Sequence, residues 1–357
     1  MKKFLLLVLT ILAVYMCGLT KVDATIDSNE EVEKLLEERK YPQLIGILRR
    51  SGAQETLLSQ LLYTIRGDYI SVYSWNVAAL KQNQEILVAS GEDQHDHTMK
   101  QIESSPRRYT SVQILSDDVI GISEGIAYAE GRSVIHNNES KAVMEKVAQW
   151  KDIKEFDSWY PSSAVAVTNI GKILYANEDV KYENKVNQVA NTLDSVIAVE
   201  DGSSYVVFLM VDGTVKTVSL NDYHTSEAET WTGIVDISLG RVLLGLKEDG
   251  TVMLSGDFEN KMDAVKDWSD IIAISSGKNH AIGLKRDGTV VGVGSNLFHQ
   301  LEVEHWTDIV AIDVYSYLTI GLKADGTLVM AGDCSASGVN TPEISMFRDL
   351  YVPVPKQ

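Results

Sequence analysis

The turn Asp-Gly-Thr recurs four times in the second half of the chain, at Asp212-Gly213-Thr214, Asp249-Gly250-Thr251, Asp287-Gly288-Thr289 and Asp325-Gly326-Thr327. Each turn follows a bulky residue, Leu193, Trp231, Trp268 or Trp306, by 18 or 19 positions, so the period is 37 or 38 residues. Fixed periods of this size mark stacked supersecondary units, none of which can bury its own apolar faces alone. Fainter copies hold the phase upstream. One starts at Trp150, with Asn169 in the place of the turn's Asp, and two more start at Tyr109 and Tyr69, which makes seven units.

Every unit carries three short apolar runs rich in Val, Ile and Leu, bounded by Gly, Asp, Asn and Ser. Such runs read as strands joined by tight turns, and helices of normal length do not fit between them. Asp-Gly between two of these runs specifies a hairpin, because Gly accepts the positive φ the turn needs and Asp supports the turn with its side chain. The spacing therefore predicts local pairing of 282–285 with 290–293. A sheet of three or four strands needs neighbours on both faces, and radial repetition that closes on itself supplies them. The expected fold is all-β, a seven-bladed β-propeller over residues 67–357. A parallel β-helix is the rival, but its coils are shorter and need no hairpin in each repeat. After the seventh unit, Phe347-Arg348-Asp349-Leu350 repeats the opening Trp306-Thr307-Asp308-Ile309 and the sequence ends before a hairpin. Residues 347–354 are expected to pair with the first blade near Tyr69 to Tyr73 and close the ring.

Residues 1–24 begin with Lys2 and Lys3, continue as an apolar run from Phe4 and end on Ala24, the pattern of a secretory signal peptide. A secreted or cell-surface protein with no membrane insertion after cleavage is expected. Without this segment the chain has 29 basic and 49 acidic residues, a balance that repels phosphate backbones and so argues against nucleic acid. One cysteine, Cys334, would remain, so the fold must stand on its core without an internal disulfide. Residues 25–66 read differently. Ser28 suits a helix start, Val32, Leu35 and Leu36 share a face, Pro42 opens a second helix with Leu44, Ile45, Ile47 and Leu48, and Leu57, Leu58, Leu61, Leu62 and Ile65 form a third stripe. This is a small α-helical segment expected to pack on the ring.

The consensus W-x-D-I-V-A-I-S-x-G-x-x-H-x-x-G-L-K-x-D-G-T-V-V-x-x-G, fullest from Trp268 to Gly294, resembles the repeat of the regulator of chromosome condensation family in its short bacterial form. The resemblance covers residues 67–357, with the last four units matching by identity and the first three by phase. It implies interaction surfaces. The family's nuclear member acts on a small GTPase and on chromatin, roles that a signal peptide and an acidic chain oppose here. An exported bacterial propeller of the same repeat type inhibits β-lactamases, and such an inhibitor role is one alternative.

Trp150, Trp231, Trp268 and Trp306 recur at one register, as packing between blades demands, and are not assigned to a ligand. His280 also holds a repeat position and is expected to make a structural hydrogen bond within its blade. The residues that break the repeat are better candidates. Trp75, Trp159, Tyr160, Tyr205, Arg241, Lys278, Asn279, Tyr315 and Tyr317 fall in connections between first and second strands, and Phe298 and His299 fall after a third strand. Both kinds of connection open on the face opposite the Asp-Gly hairpins. Aromatic residues with Arg on loops of a rigid scaffold compose a docking surface for a protein partner. Trp75, Trp159 and Tyr160 could instead stack on a carbohydrate or cell-wall glycan. His95 and His97 could both reach a metal from an extended segment, with Glu92 or Asp93 beside them, yet the same spacing suits a solvated loop. No metal or cofactor is assigned. The sequence has no nucleophile elbow, phosphate loop or His-Glu-x-x-His, so no enzymatic activity is expected.

Overall fold

The computed structural model describes residues 34–50, 58, 61–62, 66, 69–73, 76–90, 107–115, 118–131, 138–159, 162–220, 227–256, 262–333, 344–345 and 347–352. Among them are seven three-stranded antiparallel sheets, each built from three consecutive strands. The first strand of every sheet lines a common central cavity: Ile70–Tyr73, Ser111–Leu115, Ile153–Asp157, Val196–Asp201, Ile234–Leu239, Ile271–Ser276 and Ile309–Tyr315, the inner strands of blades 1 to 7. The seven-bladed propeller is what the repeat predicts.

The hairpin is a three-residue loop. In blade 6 the Gly288 amide donates to the Lys285 carbonyl at 2.9 Å and the Lys285 amide to the Thr289 carbonyl at 2.9 Å, with Gly288 at φ +84°. This is a turn followed by one left-handed residue, where a Cβ is costly. Asp287 Oδ1 accepts from both the Thr289 amide at 2.9 Å and its hydroxyl at 2.6 Å, which is why Asp and Thr flank the glycine. The residue before the inner strand is left-handed too, at Asp152, Ser195, Asp270, Asp308 and Asp349, the backbone state that Asp tolerates best after Gly and Asn. From there the next amide reaches back to the preceding blade's turn, as Ile309 N does to Gly288 O at 3.0 Å.

Trp231, Trp268 and Trp306 lie over the glycines of their middle strands. A Cβ on Gly245, Gly283 or Gly321 would come within 2.6, 2.9 or 2.8 Å of the ring. The other blades conserve the volume of this pair and change its members. Blade 4 sets Leu193 with Phe208, blade 3 Trp150 with Ala166, and blade 1 Phe347 with Ala79, each pair within one core cluster. In blade 2, Tyr109 covers Gly121 from the first position of the inner strand, where blade 6 has Ile271. Tyr69 and Tyr109 therefore do not occupy the tryptophan register that their spacing suggests, and Phe347 takes that place for blade 1.

Phe347 does so because the ring closes through a composite strand. Leu350 bridges Lys81 as Ile309 pairs with Lys323. Its amide reaches Gly326 O of blade 7 at 3.1 Å, and Tyr351 N donates to Leu80 O at 2.8 Å. Leu80 N then donates to Tyr69 O at 2.9 Å, so the two chain ends lie in line along one partner strand. The C-terminal segment extends Ile70–Tyr73 and does not run beside it.

Among the described residues, helices also stand outside the blades. Helix α1, Tyr41–Arg50, buries Leu44, Ile45 and Leu48 against blades 4 to 6 together with Leu58, Leu61 and Leu62. Arg49 ties it to the hairpin face, through Ile234 O at 2.8 Å and Glu248 at 3.4 Å. Helices α2, Asn138–Val147, and α3, Val180–Ala190, fill the connections into blades 3 and 4, where the sequence reading allowed no helix. Asp179 caps α3 by accepting from Lys181 N at 2.8 Å, and Val186 and Ala190 pack beneath it. The long connections at these two places give a helix room that the 38-residue period lacks. Among the described residues no helix is long and apolar enough to cross a membrane.

Candidate functional site: the channel and its aromatic mouth

An inner strand has a free edge facing the axis, and its buried amides need acceptors. The neighbouring blade provides them from one register. Ser71 accepts from Ile114 N at 3.1 Å, Asp157 from Asp201 N at 2.6 Å and Glu200 from Leu239 N at 3.0 Å. Ser238 accepts from Ser276 N at 3.0 Å, Ser275 from Val314 N at 3.1 Å and Asp313 from Val72 N at 2.8 Å. Gln113 completes the belt by donating its side-chain amide to Asp157 Oδ1. The sequence reading missed these residues. Their signal is a polar residue directly after an apolar one in each first strand.

The belt encloses a cavity of about 180 Å³, lined by six carboxylates, Glu155, Asp157, Glu200, Asp201, Asp236 and Asp313, and by two cations, Arg66 and Lys154. Arg66 pairs with Glu155 and Glu200 and lies 3.8 Å from Asp236, so one guanidinium bridges blades 3, 4 and 5. Asp157 and Asp201 lie higher, at the loop end of their strands. Burial raises the pKa of both, that of Asp201 well above the ordinary range because the Asp157 charge adds to its desolvation.

Tyr73, Trp159 and Tyr315 line the same cavity at the loop end. Tyr315 stacks on Tyr73 with ring centroids 4.1 Å apart, and Lys278 Nζ stands 5.2 Å over the Tyr315 ring. Burial raises the pKa of both tyrosines and keeps them neutral. Trp159, half-buried, donates its backbone amide to Asp201 Oδ2 at 3.2 Å. Tyr317 and Phe298 form a separate edge-to-face pair, 4.6 Å apart, on the rim of blades 6 and 7. His299 is exposed and binds Glu302 at 2.5 Å. Tyr205 packs on the core and Arg241 is exposed, its amide bonded to Gly277 O at 3.0 Å. The structure thus joins Trp159 and Tyr315 at the mouth, adds Tyr73, and sets Tyr317 with Phe298 apart. Trp75, Tyr160, His95 and His97 lie outside the described residues.

His280 is fully buried, and its hydrogen bond runs between blades. Nε2 meets Thr319 Oγ1 at 2.9 Å, while that hydroxyl donates to Gln300 O at 2.7 Å, so Nε2 carries the proton. The bond expected within blade 6 is a tie to blade 7, because the inner end of the middle strand faces the neighbouring sheet.

The profile of the Regulator of chromosome condensation (RCC1) repeat matches residues 271–300, within the sixth unit. No curated protein matches the sequence. Among solved structures, the chain is similar to the CRINKLY WD40 ectodomain of the Arabidopsis thaliana receptor kinase ACR4, at 13% identity and TM-score 0.52, covering 79% of this chain and 97% of that one. It is also similar to the ectodomain of the Physcomitrella patens receptor kinase CR4, at 11% identity and TM-score 0.50, covering 74% of this chain and 73% of that one. Seven like sheets around one channel make the chain a β-propeller, and its sixth unit carries the regulator of chromosome condensation repeat.

Proposed function

We propose that this protein is a non-enzymatic binding module, exported from the cell, that docks a protein partner over the channel mouth. The observation that carries this reading is the aromatic opening, where Trp159 and the stacked Tyr73–Tyr315 pair with Lys278 surround an acidic cavity. Packing within blades uses the repeated tryptophans and leaves these side chains over. Large, rigid aromatic side chains beside a positive charge are the usual centre of a protein interface. Tyr317 with Phe298, and Arg241 beyond, extend the surface around the rim. The lysine-led apolar start of the sequence supports export, and the acidic balance favours a basic partner. That the two similar plant propellers are receptor ectodomains accords with a surface role.

The test is affinity capture from culture supernatant and cell envelope with the mature protein, beside its Trp159→Ala, Tyr315→Ala variant. A partner retained by the wild type and lost by the variant, with no signal on a glycan array, is the expected result. Glycan binding with capture unchanged by the two substitutions would replace the protein reading with a carbohydrate one.

A further inference from the structure

Beneath Trp159 the channel wall is anionic, and among the described residues neither Asp157 nor Asp201 has a cation within ion-pair distance. Asp157 is occupied at both oxygens, by the Gln113 side chain and the Asp201 amide. Asp201 is 2% exposed and accepts Trp159 N–H at Oδ2, while its Oδ1 has no hydrogen-bond partner among the described residues. Gln113 Oε1 and Ser158 Oγ, in the same cavity wall, are also buried without partners. Gln113 is bonded to Asp157, and Ser158 stands between Asp157 and Trp159, so these atoms belong to one niche. Two acceptors and a hydroxyl beside two carboxylates suit a group that donates several hydrogen bonds and carries positive charge.

The chain already satisfies the lower half of its channel in this way. Arg66 inserts its guanidinium among Glu155, Glu200 and Asp236, and the upper half offers the same chemistry to a cation, with none paired to Asp157 or Asp201 among the described residues. We propose that this niche takes one lysine or arginine side chain presented by the protein partner, with Trp159, Tyr73 and Tyr315 closing around its aliphatic stem. The inference rests on the mouth being the docking face. The channel as a whole encloses about 180 Å³, space on the scale of a single side chain, since a cavity of about 150 Å³ holds one benzene-sized group. A metal ion suits the niche less well, since no group of three or more His, Cys, Asp or Glu among the described residues has the disposition to hold one. The net charge of −18 steers a basic partner toward this opening.

The experiment is calorimetric titration of the mature protein at low ionic strength with capped Gly-Gly-Lys-Gly-Gly, Gly-Gly-Arg-Gly-Gly and Gly-Gly-Gln-Gly-Gly peptides. A basic peptide is expected to bind one site at least tenfold more tightly than the glutamine peptide. Asp201→Asn should weaken it at least tenfold. Ser158→Arg, which places a guanidinium in the niche from within, should abolish binding in a protein whose near-ultraviolet circular dichroism is native, and so covers the case in which the asparagine variant fails to fold. Equal binding of the glutamine peptide, binding untouched by Ser158→Arg, tighter binding of spermidine or calcium, or no binding at millimolar peptide would each overturn the inference. A captured partner that ignores Asp201→Asn and Ser158→Arg but is lost with Trp159→Ala, Tyr315→Ala sinks the niche and leaves the docking face standing. Capture indifferent to all four substitutions sinks the docking face, and with it this inference.

Discussion

Blades 4 to 7 repeat one another in sequence, whereas blades 1 to 3 scarcely do, yet both halves build the same three-stranded sheet in the same register. The difference shows which physical demands are fixed and which can be met in several ways. An acceptor for the neighbour's inner-edge amide and a filled volume between the opening residue and the middle strand are fixed. Trp over Gly, Leu with Phe, Trp with Ala and Phe with Ala all meet the second demand. The turn is as adaptable. Blade 1 closes Gln82-Asn83-Gln84 with the hydrogen bonds of Arg286-Asp287-Gly288, Asn83 Oδ1 accepting from Glu85 N at 3.1 Å and Gln84 taking the left-handed position at φ 65°.

The largest effect that tests this comparison lies in the paired volumes. Trp268→Ala empties the space over Gly283 and should cost about 3–5 kcal/mol in chemical denaturation, more than Leu193→Ala, whose side chain is half-exposed. Gly283→Ala alone should cost about 1–3 kcal/mol, since its Cβ would meet the indole. Adding Trp268→Phe recreates the Phe347 and Ala79 pair of blade 1 and should recover part of that loss. Purely additive costs would show that the two positions are not coupled and that the halves of the ring pack by different rules.

His280 separates blade 6 from blade 7, which has Leu318 at the equivalent place. Burial pushes the imidazole pKa down to about 4. Below the unfolded value of about 6.5 the unfolded chain takes a proton that the folded ring refuses, so this stability is present near neutrality and lost as the pH falls toward 4. The loss is about 3 kcal/mol on the linkage relation. Asp157 and Asp201 act in the opposite sense: their raised folded values mean a contribution present at low pH and lost as it rises. The measurement is therefore a difference. Denaturation of wild type and His280→Leu at pH 7 and pH 4 should show the variant less sensitive to acid by about that amount, and parallel curves would place the group's titration elsewhere.

Much of the ring was legible because its demands repeat at a fixed period. Asp-Gly-Thr, the tryptophans and Phe347-Arg-Asp-Leu announce turns, packing and closure through residue types that few other positions tolerate. The belt was not, because Ser71, Gln113, Asp157, Glu200, Ser238 and Ser275 act on the next blade, 38 to 44 residues away, and Asp313 acts on Val72 across the ring closure, 241 residues away. In one strand such a residue looks like ordinary alternation. The site was half legible for a related reason. Departure from the repeat picked out Trp159 and Tyr315, but Tyr73 sits at the end of a strand whose unit is too eroded to show a departure. Arg66 lies in a segment with no repeat at all, so nothing in its spacing points to Glu155 and Glu200.

The smallest predicted effects concern the turn and use the comparison most directly. Gly288→Ala forces a Cβ at φ +84° within 3.2 to 3.3 Å of the Asp308 backbone and should destabilise blade 6 by about 1–2 kcal/mol. In blade 1 that cost is already present, since Gln84 holds the left-handed position with a full side chain. Gln84→Gly removes it at the expense of a more flexible unfolded chain, which cancels part of the gain. The net should be a stabilisation of about 0.5–1 kcal/mol, read as a higher denaturation midpoint with unchanged slope. The change sits where blade 1 receives the C-terminal segment, with Gln82 N bonded to Asp349 O at 3.0 Å. The gain should therefore also slow proteolysis at the seam. A destabilised Gln84→Gly protein would mean that the glutamine side chain supports closure, and blade 1 would then be a specialised clasp and not an eroded copy of blade 6.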